Sequence, residues 1–152
     1  NHGCLEALAS GRAIAKHGLE LAASGKGKRI LELAGGRKEE IEAETIFRAA
    51  MEGDGEAEDI LDNAIEYIGI AIAGVVNLFD PELIIFEGGL MKSSSYLLPR
   101  LKETIRRHQM HLAGRNVQLL KGNLGEDITA VGAATLLLQD LLNHGGEIKN
   151  GR

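Results

Sequence analysis

Aromatic residues, proline and cysteine are all scarce in this sequence. It has no Trp, aromatics make up 3% of its 152 residues, and it contains two Pro and one Cys. A single Cys excludes a disulfide within the chain and is typical of a reducing compartment, so we expect a cytoplasmic protein. The longest uncharged run, residues 67–79, is shorter than the ~20 residues that a membrane-spanning helix needs, so no membrane partner is expected.

Positive charge is also in short supply. The chain has 17 Lys and Arg against 22 Asp and Glu, a net charge of −5, which gives no indication of nucleic-acid binding by this segment itself. The hydrophobic content of 44% and charged content of 26% are ordinary for a globular protein, and the length suffices for one domain with a core.

The most informative stretch runs from Ile60 to Gly89. Apolar residues recur at three- and four-residue intervals up to Phe79, which predicts a long helix from Gly55 to Phe79. Pro81 ends that helix. The uninterrupted run Leu83–Phe86 then predicts a strand buried on both faces of a parallel sheet, and Gly88 and Gly89 predict a sharp turn at its carboxyl end.

The same order of elements follows downstream. A helix is predicted from the serines at 93–95 to Leu112, then a strand at Val117–Lys121, a second glycine loop and a last helix from Ile128 to Asn143. Gly132 and the two alanines after it predict that this helix approaches the sheet closely. The strand–helix–strand unit predicts two parallel neighbouring strands with a right-handed crossover, in a helix-rich α/β fold.

Helices are also predicted upstream, at 11–23 and 43–51, with His17 and Leu19 on the inward side of the first; Ile30–Leu33 is ambiguous. The chain opens on Asn1-His2-Gly3-Cys4 without Met, and two strands are few for a stable sheet. We therefore expect a fragment of a larger protein, with one lobe at residues 1–143 and a flexible tail at 144–152.

Cys4 and Glu6 stand close together near the start. Taken alone, Cys4 is most often a small buried hydrophobic residue, and Glu6 is a charge that suits the start of a helix.

The segment Gly3–Gly11 resembles the ROK family of bacterial repressors and sugar kinases. There the motif is the tail of a Cys-x-Cys-Gly-x-x-Gly-Cys-x-Glu zinc loop, whose last six positions match residues 1–6. Residues 77–89 are similar to the family's segment before its nucleotide-side glycine turn, and residues 124–134 to the start of its final helix. The resemblance extends over nearly the whole chain, to about Leu142.

The resemblance implies a fold, two site residues and a cofactor. The fold is the second lobe of the actin-like ATPase, or ribonuclease H-like, fold, truncated at its N-terminal side. Cys4 would be the last zinc ligand in the parent protein, and Glu6 would accept hydrogen bonds from sugar hydroxyls. The family's catalytic Asp, its phosphate loop and the other zinc-loop cysteines are missing, so this segment is expected to have no kinase activity alone.

Two functions are considered for the parent protein, and the residues of one turn discriminate between them. Kinases of the family tend to have three consecutive glycines close to the nucleotide, whereas here Glu87 precedes Gly88 and Gly89. A carboxylate there would add bulk and repel polyphosphate unless it points away. This favours a sugar-responsive repressor that contacts DNA only through an upstream domain; the alternative is a glucokinase-like sugar kinase, with ATP beside Gly88 and Gly89.

A third option is an oligomerisation lobe without a ligand, since family members commonly form homo-oligomers through this lobe. Gly69, Ala73 and Gly74 would then lie in the core or at the interface.

Overall fold

The computed structural model describes residues 3–110, 117–124 and 127–143. Four helices precede the longest one: α1 (Leu5–Ala9), α2 (Gly11–Ala23), α3 (Lys28–Leu33) and α4 (Ala43–Met51). Then come α5 (Gly55–Phe79), β1 (Leu83–Phe86), α6 (Ser94–His108), β2 (Gln118–Lys121) and α7 (Ile128–Asn143). Short 3₁₀ turns lie at Lys38–Glu40 and Gly89–Ser93. The predicted helix-rich α/β class is confirmed, and the predicted tail at 144–152 lies outside the described residues.

Helix α5 is the centre of the packing, and its predicted ends are confirmed. Asp54 caps its start, since its carboxylate accepts from the Ala57 N–H at 2.8 Å. It ends where Asp80 adopts a left-handed conformation (φ 42°) before Pro81. Helices α1, α2, α4 and α6 all pack against α5. The largest fully buried side chains of the resulting core are Ile14, Ile30, Ile46, Leu61, Val76, Leu101 and Ile105.

Close packing of α5 on α6 depends on Gly69. A Cβ at this position would lie 2.8 Å from Thr104 Cβ and closer still to its Cγ2, so the two helices touch where glycine has no side chain. Gly69 and Ala73 are buried, whereas nothing lies within 4 Å of a Cβ added at Gly74. The small residues of α5 therefore divide between the core and the surface.

The two strands form the predicted parallel pair. Leu83 pairs with Gln118 and Phe86 with Lys121, in a two-stranded sheet joined through α6. The prediction that β1 is buried on both faces is wrong for the described structure. Ile84 and Phe86 pack against the core, but Ile85 on the opposite face is 58% exposed, because no described element covers that face.

The last helix also departs from expectation. Within the described residues α7 has no buried residue, and nothing lies within 4 Å of a Cβ added at Gly132, so the expected close approach to the sheet is not made. Leu136, Leu137, Leu138 and Leu142 are all exposed.

Helix α2 also differs from expectation, because His17 and Leu19 are exposed. Its buried residues are Ala13, Ile14, Gly18 and Ala22. None of the helices in the described part of the chain is both long and apolar enough to span a bilayer.

Candidate functional site

Cys4 and Glu6 lie at the start of α1, where both side chains are exposed. Cys4 is the N-cap residue in extended conformation, and its carbonyl accepts from the Ala7 N–H at 2.9 Å. Glu6 falls in the first turn, where a carboxylate is favourable beside the positive end of the helix dipole. The loop-to-helix junction therefore presents a thiol and a carboxylate on one surface.

An open cleft of about 560 Å³ lies at this junction. Its lining residues are Cys4, Glu6, Ala7, Ser10, Arg12, Ala13 and Lys16. Two of these residues are held in place locally, because the Ser10 hydroxyl accepts from the Ala13 N–H at 3.2 Å and Ala13 is buried. The structure thus brings Cys4 and Glu6 into one cleft and adds Arg12, which the sequence analysis did not single out.

The polar groups of this cleft suit a neutral polyhydroxylated ligand. The Glu6 carboxylate can accept hydrogen bonds from hydroxyl groups, and Arg12 and Lys16 can donate to hydroxyl oxygens. Lys16 also pairs with Glu20 at 3.6 Å along α2, an exposed contact. One acidic and two basic side chains at an open cleft would also tolerate an anion, so charge alone does not select the ligand.

A zinc site needs about four ligands, and Cys4 offers one exposed thiol. Within residues 3–110, 117–124 and 127–143, no group of three or more His, Cys, Asp and Glu side chains is placed to hold a metal ion. The described residues therefore do not fit a complete zinc site. A zinc ion on Cys4 would need its other ligands from elsewhere.

Gly88 and Gly89 form the turn predicted after β1. Gly88 has φ 102°, which a side chain would disfavour, and its carbonyl accepts from the Met91 N–H at 3.0 Å. Gly89 lines a second cleft of about 270 Å³. The other lining residues come from the start of α2, the start of α4 and the 3₁₀ turn: Gly11, Glu42, Ala43, Glu44, Phe47, Leu90, Lys92 and Ser93.

This second cleft joins segments that are distant in sequence. Gly11 ends the motif that contains Cys4 and Glu6, and a Cβ added there would lie 3.7 Å from both Ala43 Cβ and Leu90 Cδ2. Helix α4 starts at the cleft, where the Glu42 N–H donates to the Thr45 hydroxyl at 3.4 Å. Phe47 of α4 is buried in the core and also borders this cleft, and the amphipathic pattern of α4 carries no signal of that second role.

Glu87 does not line the cleft at Gly89. Its carboxylate reaches across to the loop after β2, where Oε1 accepts from the Leu124 N–H at 3.3 Å. The same carboxylate lies against Gly122, where it fills the space of the missing side chain. Both glycine loops thus meet at the carboxyl ends of the strands, the edge where open α/β sheets bind ligands. Gly125 and Glu126 of the second loop lie outside the described residues.

Comparison with known proteins identifies relatives of two functional kinds. The sequence model of the ROK family matches residues 1–140. A glucokinase from Thermotoga maritima is 31% identical over 135 residues, which are 89% of this chain and 42% of that protein. The Escherichia coli DNA-binding transcriptional dual regulator NagC is 28% identical over 143 residues, covering 94% of this chain and 34% of the regulator.

Solved structures show the same two kinds. The ROK family glucokinase from Streptomyces griseus, in complex with glucose and AMPPNP, superposes with a TM-score of 0.76 at 29% identity, over 90% of this chain and 45% of that one. A ROK family transcriptional regulator, a homologue of the E. coli MLC protein, gives a TM-score of 0.61 at 34% identity, over 80% and 29%. The chain spans less than half the length of each of these relatives.

Proposed function

Because the chain belongs to the ROK family, we propose that it is the sugar-binding and oligomerisation lobe of a sugar-responsive transcriptional repressor. In this proposal residues 1–143 form the second lobe of the actin-like ATPase fold. The observation that carries it is the cleft shared by Cys4 and Glu6. The parent protein would act in the cytoplasm, and DNA would be contacted only by a domain upstream of this lobe.

Sugar recognition in this proposal centres on Glu6. Its ionised carboxylate accepts hydrogen bonds from two neighbouring hydroxyl groups, and Arg12 of the same cleft donates to a third oxygen. Cys4, together with ligands from the rest of the parent protein, would hold a zinc ion and so fix the loop before α1. A loop fixed in this way presents Glu6 in one orientation, which lowers the ordering cost of binding.

The repressor is favoured over the kinase by Glu87. Glu87 does not line the cleft beside Gly89, but it puts a negative charge against the loop after β2, where it would repel the phosphates of a nucleotide that spans both loops. The glucokinase alternative is supported by the relatives of that function and by the cleft beside Gly89, which would take the nucleotide with Gly88 and Gly89 against it. Phosphorylation of glucose by the full-length protein would decide for the alternative.

The test of the sugar site is Glu6→Gln in the full-length protein, titrated with glucose and with N-acetylglucosamine. The variant keeps the shape but loses the charge, so affinity should fall about ten- to a hundredfold, or ~1.5–3 kcal/mol. Zinc content should stay at about one ion per chain, whereas Cys4→Ser should lose both zinc and affinity. The matched control is Glu39→Gln, an exposed carboxylate in the Lys38–Glu40 turn, which should bind as the unmodified protein does. Equal affinity in Glu6→Gln would show that Glu6 is only a helix-start charge.

Homo-oligomer formation is the second part of the proposal. A repressor that reads a two-fold symmetric operator acts as a dimer, and the lobe proposed here would hold the two copies together. Light scattering of the full-length protein with and without its upstream domain tests this. A dimer that survives removal of that domain supports the assignment, and a monomer contradicts it.

A further inference from the structure

We propose that Glu87 is an internal anion that occupies the loop after β2 and so excludes phosphate-bearing ligands from the carboxyl edge of the sheet. This inference rests on the proposed function, since it explains how a ROK lobe without a nucleotide keeps the two glycine loops together. The observation that supports it is that the Glu87 carboxylate lies beside Gly122 and accepts from the Leu124 N–H.

The geometry starts from the parallel pairing of the strands. Phe86 pairs with Lys121, so the residues that follow each strand, Glu87 and Gly122, emerge side by side. The Gly122 N–H donates to the Phe86 carbonyl at 2.8 Å, which extends the ladder by one bond and fixes the start of the second loop. The Glu87 side chain leaves β1 at this point and lies across the neighbouring loop.

Gly122 and Glu87 are complementary in shape. A Cβ at position 122 would coincide with the Glu87 carboxylate, so the carboxylate occupies the volume that any other residue would fill. Gly122 does not have positive φ, and its backbone would accept alanine without strain. The requirement for glycine at 122 is therefore the carboxylate beside it, not the backbone conformation.

The Glu87 carboxylate accepts a hydrogen bond from the backbone of the loop after β2, as a bound anion would. Oε1 accepts from the Leu124 N–H at 3.3 Å, slightly longer than is usual for such bonds, and Glu87 is half-buried. Backbone N–H groups in glycine-rich loops are the usual donors to phosphate oxygens. A phosphate oxygen approaching this N–H would have to displace a tethered carboxylate and meet its like charge at close range.

The first experiment follows the Leu124 amide by NMR in the full-length protein. Glu87→Ala should move its proton resonance upfield and speed its hydrogen exchange about tenfold or more, because the acceptor is lost. Gly122→Ala should have the same effect with Glu87 still present, since the added methyl group expels the carboxylate. The control Glu82→Gln removes a charge at the opposite end of β1 and should leave the Leu124 signal unchanged. An unaltered Leu124 amide in both Glu87→Ala and Gly122→Ala would overturn the proposal.

The second experiment uses Mg-ATP as the probe. Mg-ATP should neither shift the Leu124 amide resonance of the unmodified protein nor slow its hydrogen exchange. The Glu87→Gly variant, which has a third glycine at the turn, should bind Mg-ATP at least ~10-fold more tightly than the unmodified protein. No gain in Mg-ATP affinity would overturn the role of Glu87 in exclusion. If Mg-ATP binds the unmodified protein while its Leu124 amide still depends on Glu87, the contact stands but the exclusion proposed for Glu87 fails. Phosphorylation of glucose by the same protein would show separately that the repressor assignment fails.

Discussion

Replacing Gly69 by Ala is expected to destabilise the protein, although the same change elsewhere in α5 should stabilise it. The added Cβ would lie 2.8 Å from Thr104 Cβ and closer to Thr104 Cγ2, and Thr104 is itself buried in α6. Overpacking of this kind costs about 1–3 kcal/mol. It is opposed by the gain of about 0.5–1 kcal/mol that alanine brings over glycine in a helix interior.

Gly74 provides the matched control, five positions further along α5. It is exposed, and nothing lies within 4 Å of an added Cβ, so Gly74→Ala should show only the helix-propensity gain. Because that gain is common to both variants, the difference between their free energies of unfolding isolates the overpacking term, about 1–3 kcal/mol. Urea unfolding followed by circular dichroism measures both values under the same conditions.

A second substitution tests whether Thr104 is the cause. Thr104→Ser removes the Cγ2 methyl group but keeps the hydroxyl, which accepts from Arg107 Nη2 at 3.1 Å. In the Gly69→Ala background it should recover part of the lost stability, giving a coupling energy in the double-mutant cycle. The reasoning is refuted if Gly69→Ala is as stable as Gly74→Ala, since α5 and α6 would then not be in close contact at this point.

Three further outcomes follow from the described contacts. Tyr96→Phe should leave the free energy of unfolding unchanged or raise it by up to ~1–3 kcal/mol, because the buried Tyr96 hydroxyl has no hydrogen-bond partner among the described residues; lower stability in the same urea assay would contradict this. The pKa of Glu66 lies below its ordinary value of 4.5, chiefly through the hydrogen bond with His108 at 2.7 Å and also through the charge of Arg107, with burial opposing. Its contribution to stability is therefore complete above pH 4.5 and is lost as pH falls through the lower native pKa, so Glu66→Gln should flatten stability against pH in that acid range; an unchanged slope would count against it. The chain of residues 1–152 should phosphorylate neither glucose nor N-acetylated sugars above background in a coupled assay, and measurable turnover would show that a phosphate-transfer site is present.

Local signals in the sequence were sufficient for most of the elements. Helix α5 was predicted with its observed ends because a long 3.6-residue pattern lies between a capping Asp and Pro81, both of which act on the adjacent backbone. The parallel pairing of β1 and β2 was predicted because a single helix joins two apolar strands. The segment Ile30–Leu33 was ambiguous, since four residues are too few for their periodicity to distinguish a helix from a strand. The structure places it in α3, whose start follows Gly27; the Gly27 N–H donates to Glu56 Oε2 of α5 at 2.7 Å.

The candidate site was predictable in part. Residues Cys4 and Glu6 were singled out by a motif, and the structure places them in one cleft, while their roles in zinc and sugar binding stay predictions. Arg12 was missed because a single basic residue on an exposed helix face has no distinguishing pattern. The cleft beside Gly89 was missed as a unit because it joins the starts of α2 and α4 to a turn about eighty residues away from Gly11, and no local periodicity records such a meeting.

What the sequence by itself determined is the order of most elements, the ends of α5 and the family, because caps, breakers, periodicity and motifs all act over a few residues. Only the tertiary structure decided which small residues are in the core, which faces stay exposed and where Glu87 points. Gly69 and Gly74 look alike in sequence, yet one meets Thr104 and the other meets solvent. Glu87 reaches Leu124 only because parallel pairing brings together two strand ends that are more than thirty residues apart. These outcomes depend on which surfaces pack together, and that is a property of the whole chain.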